Sequence, residues 1–163
     1  MSSSSTTTTT TRLLMLKASD GVTFEVEEAV ATKLGAINNM VEEEGSEDLI
    51  CLPNVNGKFL GMVLEWCKKH ANNNTNSDKG NDEVNKWWDK EFVMDLDQNT
   101  LYHLLMAADY LSGTELVDLL TEKVASMIRG KKVEEIRETF KIKSDFLPGQ
   151  EEEIRKKNSW AFE

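Results

Sequence analysis

The sequence predicts an α+β protein, with a small β-sheet flanked by helices and a helical C-terminal extension. One observation is Asp20-Gly21, which separates two apolar segments and is a strong β-hairpin signal because Gly tolerates a positive φ. The other is a set of later segments with apolar residues three and four positions apart, the period of a helix. With 163 residues, the chain has room for one domain with appendages.

The N-terminal part of the chain should form the sheet. Residues 2–11 are four Ser and six Thr, so we expect 1–11 to be a disordered polar tail. The apolar run 13–16 and the alternating segment 22–26 then form the hairpin. A further short strand is expected at 49–52, where Pro53 ends it.

Helices are expected around these strands. Two short ones are predicted over 27–33 and around 37–41, with an acidic loop at 42–48 after them. Asn56 should cap a longer helix. The apolar stripe of that helix is Leu60, Val63, Leu64 and Cys67. His70 lies at its end, where a surface cation is favoured by the helix dipole.

Residues 71–86 contain six Asn and predict a disordered loop. Trp87-Trp88 then marks the return to order. The pair fits either an anchor in the core or a binding hot spot, and the core anchor is the favoured interpretation.

Two helices after this point have strong signals. The first carries Leu101, Leu104, Leu105, Ala108 and Leu111 on one face. The second should begin with a capping box formed by Ser112 and Glu115, and Gly130 should end it.

The C-terminal stretch 131–163 distributes its apolar residues differently. Helices are expected at 133–140 and 150–158, the second with acidic residues at its start and basic residues at its end. The apolar residues of the stretch are Val133, Ile136, Phe140, Ile142, Phe146, Leu147, Ile154, Trp160 and Phe162. No long stripe joins them, so either the preceding domain or a second protein must cover them. Without such a partner, 147–163 should be the least ordered part of the extension.

Composition excludes several classes of function. The net charge of −10 argues against nucleic-acid binding, which needs a basic surface. No run of eighteen apolar residues and no signal peptide is present, so neither membrane insertion nor secretion is expected. Cys51 and Cys67 are interpreted as buried thiols in a reducing compartment, the cytoplasm or nucleus.

Enzymatic chemistry is not indicated. The chain has two His, at positions 70 and 103, and none of the motifs of phosphate-binding, metalloprotease or serine hydrolase sites. His103 is interpreted as a satisfied or exposed side chain beside an apolar stripe. We therefore expect no catalytic residues, no cofactor and no metal.

Three long segments carry a resemblance to a known family. They are LPNVNGKFLGMVLEWCKKH (52–70), WWDKEFVMDLDQNTLYHLLMAADYL (87–111) and VASMIRGKKVEEIRETFKIKSDF (124–146), with NSWAFE at the end of the chain. The sequence resembles the S-phase kinase-associated adaptor family of SCF ubiquitin ligases, and its ending is similar to plant members. The resemblance implies a BTB/POZ-like cullin-binding domain over 12–111, with loop 71–86, and a helical F-box-binding extension over 112–163.

The function implied by the resemblance is that of a non-catalytic adaptor. It would join a cullin scaffold to F-box proteins, with the RING subunit held indirectly through the cullin, in ubiquitination and proteasomal degradation, in nucleus and cytoplasm. The cullin interface would include Asp109 and Tyr110. Because Asp109 replaces the Asn usual in the family, its charge is expected to weaken cullin binding.

The implied F-box interface lies in the helical extension. Its residues are Leu116, Leu119, Ile136, Phe140, Ile142, Phe146 and Trp160. Lys132-Val133 replaces the usual Thr-Pro and should weaken the start of the helix that follows, and Gly113-Thr114 replaces the usual Ile-Lys.

Two other functions stay open on the sequence. One is a self-associating BTB-type scaffold, and the other is an adaptor that binds F-box proteins but holds the cullin weakly. The sequence does not identify the F-box proteins or their substrates.

Overall fold

The computed structural model describes residues 11–44, 49–71 and 79–161. The three strands are β1 Leu13–Ala18, β2 Thr23–Glu27 and β3 Leu49–Leu52. The helices are α1 Glu28–Ala31, α2 Gly35–Glu44, α3 Gly57–Ala71, α4 Lys79–Met94, α5 Gln98–Tyr110, α6 Thr114–Ile128, α7 Val133–Thr139 and α8 Gln150–Lys157, followed by a short 3-10 helix, Ser159–Ala161. Outside the described residues lie the tail 1–10, residues 45–48 of the acidic loop, residues 72–78, and the last two residues, which include Phe162.

The sheet has the order β2-β1-β3, with β1 antiparallel to β2 and parallel to β3. Because side chains alternate along a strand, every second residue faces the helices. The buried positions are Leu14, Leu16, Ala18, Val26, Ile50 and Leu52. The predicted hairpin and the predicted third strand are both confirmed.

The hairpin turn also holds the start of α3. Gly21 has φ +84°, as the Asp-Gly signal requires. Asp20 accepts a hydrogen bond from the Val22 N–H at 3.2 Å and another from the Gly57 N–H at 3.1 Å. One carboxylate therefore joins the turn to the first residue of a helix far along the chain.

Helices α3, α5 and the first half of α6 supply the other side of this core. Their buried residues include Leu60, Val63, Leu64, Leu101, Leu104, Ala108, Leu116 and Leu120. Asn56 starts α3 as predicted, since its Oδ1 accepts from the Lys58 N–H at 2.9 Å. The predicted stripes of α3 and α5 are thus confirmed.

The start of α6 differs from the sequence expectation. The helix begins at Thr114, and the Gly113 carbonyl accepts its first helical hydrogen bond, from Val117 N–H at 2.9 Å. Ser112, directly before Gly113, has φ +55° and is the left-handed residue that ends α5. The predicted Ser112–Glu115 capping box is therefore wrong, because ending α5 uses the residue that would have capped α6.

Helix α4 corrects part of the predicted loop 71–86. The helix already includes residues 79–86, since it begins at Lys79. Once its C-terminal part is anchored, each added residue gains a backbone hydrogen bond, which extends the helix into a polar segment. The anchor is Trp88, whose ring meets the His70 ring of α3 edge-on, with ring centroids 6.1 Å apart. Trp87 is 61% exposed, so the core interpretation is wrong for this tryptophan.

His70 is not the surface cation that was expected. Its side chain is 13% exposed and its ring stacks on Trp66 at 3.9 Å. Nε2 lies 3.2 Å from Asp89 Oδ1, an oxygen that also accepts from the Trp66 indole N–H at 3.0 Å. Residues of α3 and α4 thus enclose the His70 imidazole, which the sequence predicts to lie in solvent at the end of a helix.

The two cysteines have different environments. Cys67 is buried on α3, and burial raises the pKa of its thiol to about 12. Cys51 is exposed, which corrects the prediction of two buried thiols. The cause is strand alternation in β3, which points Ile50 and Leu52 inward and Cys51 outward beside Lys17 of β1.

The chain divides into two compact units, an N-terminal unit, Met1–Lys123, and a C-terminal unit, Val124–Glu163. This division falls within α6, whereas the sequence places the end of the first domain at residue 111. The C-terminal unit contains α7 and α8, as predicted, and Gly130 with φ +75° follows the end of α6. Among the described residues, none of the helices is long and apolar enough to cross a bilayer.

We predict opposite effects from the same substitution at two glycines of α3. A Cβ at Gly57 would lie 2.8 Å from the Val22 Cβ and 3.0 Å from the Asp20 carboxylate. Gly57→Ala should therefore lower the free energy of unfolding by about 1–3 kcal/mol, the usual cost of overpacking.

The matched control is Gly61→Ala in the same helix. There the new methyl would meet only the Phe24 ring, at 3.4 Å. Replacing a helical glycine should raise the free energy of unfolding by roughly 0.5–1 kcal/mol. Urea denaturation measures both variants, and a stabilised Gly57→Ala protein would contradict the contact between the hairpin turn and α3.

Candidate protein-binding surfaces

The N-terminal unit has an open groove along α5. It has a volume of about 630 Å³ and is bordered by the loop before α3, by α3 and by α5. Its lining residues are Asn54, Val55, Asn56, Phe59, His103, Met106, Ala107, Asp109 and Tyr110. We call it the α5 groove.

The α5 groove exists because α5 buries only one of its faces. Leu101, Leu104 and Ala108 occupy the core side, so residues between these positions must point outward. Met106 is 71% exposed on that outer side, so its apolar side chain is available to a partner. His103 is also exposed and stacks on Phe59, with ring centroids 5.3 Å apart.

Both residues predicted for the cullin interface line this groove. Asp109 is exposed and Tyr110 is half-buried, at the C-terminal end of α5. Sequence reasoning missed Phe59, His103 and Met106 as their neighbours. The helical spacing of His103, Met106 and Tyr110, three and four residues apart, was a signal for one shared face.

The residues predicted for the F-box interface are distributed over both units. Leu116 is 0% exposed in the core of the N-terminal unit, so its side chain has no surface to offer a partner. This corrects the assignment of Leu116 that the family resemblance implies, because the face of α6 that carries Leu116 and Leu120 is buried in the core. Leu119, one turn later, is half-buried.

The C-terminal unit exposes many of its large apolar side chains. Ile136 and Phe140 are half-buried. The exposed residues are Val133, Ile142, Phe146, Leu147, Ile154 and Trp160, of which Trp160 is 78% exposed. None of the residues of α7 or α8 is buried. Such a concentration of exposed apolar surface on a small unit is typical of a binding surface.

Four charged residues connect α7 with α8 inside this unit. Arg155 of α8 donates to Glu134 of α7, and Arg137 of α7 donates to Glu151 of α8 at 2.8 Å. Arg155 also reaches Glu151, its neighbour one turn earlier, at 3.3 Å. We call this set the α7–α8 ion network. The sequence indicates only that the α8 charges complement the helix dipole, so the pairing across the two helices was not predictable from it.

The network shifts the titration of its carboxyls. The pKa of Glu134 is lowered by a backbone hydrogen bond at its own residue and by the hydrogen bond from Arg155. The pKa of Glu151 is lowered mainly by the hydrogen bond from Arg137. The pKa of Arg155 is raised by the Glu134 carboxylate. Each shift favours the charged form of its group.

Helix α7 begins with half of a capping box. The Lys132 N–H donates to the Glu135 carboxylate at 2.7 Å. The reciprocal bond to the N-terminal turn is absent, because the Lys132 ammonium can only donate. This agrees with the expected loss of the cap hydroxyl at this position.

Comparison with known proteins assigns the chain to a family. Residues 12–72 match the model described as Skp1 family, tetramerisation domain, and residues 114–161 match Skp1 family, dimerisation domain. SKP1-like protein 1A of Arabidopsis thaliana is 47% identical over 156 residues, which cover 92% of this chain and 97% of the relative. The chain belongs to the Skp1 family.

Further relatives give the same result. SKP1-like protein 11 of Arabidopsis thaliana is 48% identical, covering 93% of this chain and 97% of its own. SKP1-like protein 1 of Oryza sativa subsp. japonica is 46% identical, with coverages of 93% and 95%. The family and the POZ-type α+β fold expected from the sequence are thereby confirmed. Skp1-family proteins are adaptors, so membership supports an SCF adaptor role.

The described residues contain no buried polar or charged side chain and no group of three His, Cys, Asp or Glu arranged to hold a metal ion. The features that the structure does offer are the α5 groove and the apolar surface of the C-terminal unit.

We predict that the order of α8 depends on pH. The pKa values of Glu134 and Glu151 are lowered in the folded chain, so both carboxylates favour the folded state. Their charges therefore stabilise α8 fully at pH values above 4.5, the ordinary pKa of a glutamate. This stabilisation should be lost as the pH falls through the lowered values. Amide exchange at Ile154, corrected for intrinsic rates, should show protection that is constant above pH 4.5 and declines below it.

The control is the double variant Glu134→Gln/Glu151→Gln, which has no titrating carboxyl in the network. Its protection at Ile154 should be low and nearly independent of pH in this range. Equal pH dependence in wild type and double variant would contradict the role of these two carboxylates.

Proposed function

We propose that this chain bridges a cullin scaffold and F-box substrate receptors in an SCF-type E3 ubiquitin ligase. The RING subunit is held indirectly, through the cullin, and the bound substrates are ubiquitinated and then degraded by the proteasome. The observation that supports this function best is the presence of two different exposed surfaces, one on each unit of the chain. A bridging protein needs two such surfaces, and it needs no active site.

The α5 groove is the proposed cullin side. Its exposed Met106 and half-buried Tyr110 provide an apolar and an aromatic contact of the kind that dominates interface energy. Asp109 stands between them on the chain and brings a carboxylate into the same groove. A carboxylate that loses its water against a partner without a donor is costly. This favours a second candidate, an adaptor that binds F-box proteins well and the cullin weakly.

The apolar surface of the C-terminal unit is the proposed F-box side. Ile142, Phe146 and Trp160 are exposed in the free chain and would each gain from burial. The half-buried Ile136 and Phe140 extend this surface on and after α7. Its partner must therefore be a protein with a complementary apolar face.

Residence in both nucleus and cytoplasm is part of the same proposal. Imaging of a fluorescent fusion of the chain tests it.

We predict that F-box binding depends on Trp160. Trp160→Ala should weaken the affinity for a purified F-box domain by about tenfold or more, the effect typical of an aromatic interface anchor. Because Trp160 is 78% exposed, the substitution should leave the unfolding midpoint unchanged. Titration calorimetry measures the affinity.

The matched control is Met94→Ala, which removes an apolar side chain of similar exposure, 73%, from α4. It should bind the F-box domain as the wild type does. Equal affinities for all three proteins would overturn the assignment of this surface, and failure of the wild type to bind any F-box domain would overturn the proposed function.

We predict that Asp109 limits cullin binding. Asp109→Asn should raise the affinity for an N-terminal cullin fragment by about three- to tenfold, because the amide can donate and carries no charge to desolvate. Asp118→Asn makes the same chemical change at an exposed position outside the α5 groove and should have no effect. No gain with Asp109→Asn would remove the candidate of an adaptor weakened by this residue.

A further inference from the structure

The structure assigns Arg137 and Arg155 a positioning role: with Glu134 and Glu151, they hold α8 against α7 before any partner arrives. This inference rests on the proposed function, since its consequence is that the F-box surface is assembled in the free chain. The juxtaposition that carries it is the pair of ion pairs across the two helices, Arg155–Glu134 and Arg137–Glu151.

The order of charges along the two helices selects one direction of packing. On α7, Glu134 precedes Arg137 by three residues, and on α8, Glu151 precedes Arg155 by four, so each pair shares one helix face. Antiparallel packing joins opposite charges, as observed. Parallel packing would place Glu134 against Glu151 and Arg137 against Arg155. The same four residues therefore favour one arrangement and repel the alternative.

Charged contacts are needed to hold α8 against α7 because apolar burial contributes little there. Helix α8 has eight residues and none of them is buried. A helix of this length is marginal in water without tertiary contacts. Its one large apolar residue, Ile154, keeps 38% of its surface exposed and so adds less burial than a core residue would. The ion network thus holds α8 in place and leaves the apolar side chains uncovered for a partner.

A network of ion pairs stabilises the contact between two helices more than isolated surface ion pairs do, since each isolated pair contributes little. Here two arginines share the Glu151 carboxylate, and Arg155 contacts one carboxylate on each helix. The Arg137 guanidinium also lies 5.7 Å from the centre of the Phe146 ring. This cation–π contact connects the network to a residue of the F-box surface itself.

Other ion pairs on α8 provide an internal comparison. Lys156–Glu152 and Lys157–Glu153 are also formed, at 3.6 Å and 2.9 Å. Both are pairs one turn apart within α8, so they can support the helix but cannot orient it. Removing one positive charge at 155 or at 156 therefore changes net charge equally and should affect positioning very differently.

The consequence for binding is a population effect. If only a fraction of the chain holds α8 in the binding arrangement, the apparent dissociation constant rises by the inverse of that fraction. A variant with α8 in place about one-fifth of the time would bind about fivefold more weakly with every interface residue unchanged. The network would in this way set F-box affinity without contacting the F-box.

The test compares Arg155→Gln and Lys156→Gln in the full chain, by calorimetric titration with a purified F-box domain. We expect about three- to tenfold weaker binding for Arg155→Gln, less than twofold for Lys156→Gln, and partial recovery with Arg155→Lys, which keeps the charge but not the fork of donors. Equal affinities for the two glutamine variants would overturn the inference.

Amide exchange separates positioning from direct contact. In the free chain, Arg155→Gln should lower the protection of α8 amides and Lys156→Gln should not, whereas in the F-box complex all variants should be equally protected. Weaker binding by Arg155→Gln with unchanged protection in the free chain would make Arg155 a contact residue and overturn the inference. Absence of F-box binding by the wild type would instead refute the proposed function, and the exchange data on the free chain would still decide whether the network orders α8.

Discussion

Burial of one face of the three-stranded sheet is the constraint on which the N-terminal unit depends. Strand β1 pairs with both other strands, and its alternation sends Leu14, Leu16 and Ala18 into the core. Helices α1 and α3 pack on the sheet and α5 packs on α3, so α3 and α5 turn their apolar stripes inward. The residues that do not take part in this burial, including Cys51 and those of the α5 groove, form the surface of the unit.

The C-terminal unit satisfies a different requirement. It contains aromatic and aliphatic residues that would stabilise an ordinary core, yet no side chain of α7 or α8 is fully buried. Its two helices are joined by four charged groups instead. An apolar residue that is buried to stabilise the unit is no longer available to bind a partner. Ordering the two helices by charged contacts leaves the apolar residues available.

The difference between exposed and packed positions explains how the sequence of an adaptor can change without loss of its fold. Asp109 stands at an exposed position of α5, so the replacement of an amide that the family resemblance implies there leaves the core untouched. Gly113 is more constrained, because a Cβ there would lie 3.1 Å from Leu34 Cδ2. Substitutions on the outer faces can therefore alter partner affinity, while those at the junction of α5 and α6 must also fit the packing.

The sequence by itself determined the elements whose signals are local. The Asp20-Gly21 hairpin, the stripes of α3 and α5 and the glycine after α6 depend on spacing and turn chemistry, and all were predictable. The charged ends of α8 were visible as well. The family resemblance, rather than periodicity, supplied the partners and most of the interface residues.

Only the tertiary structure decided matters that depend on residues distant in the chain. His70 is enclosed because Asp89, nineteen residues later, returns to it, and Leu116 is core because the N-terminal unit closes over it. Arg155 meets Glu134 across twenty-one residues. A sequence shows which residues carry charge or apolar surface, but pairing and burial depend on how the elements pack, and packing is a property of the whole fold.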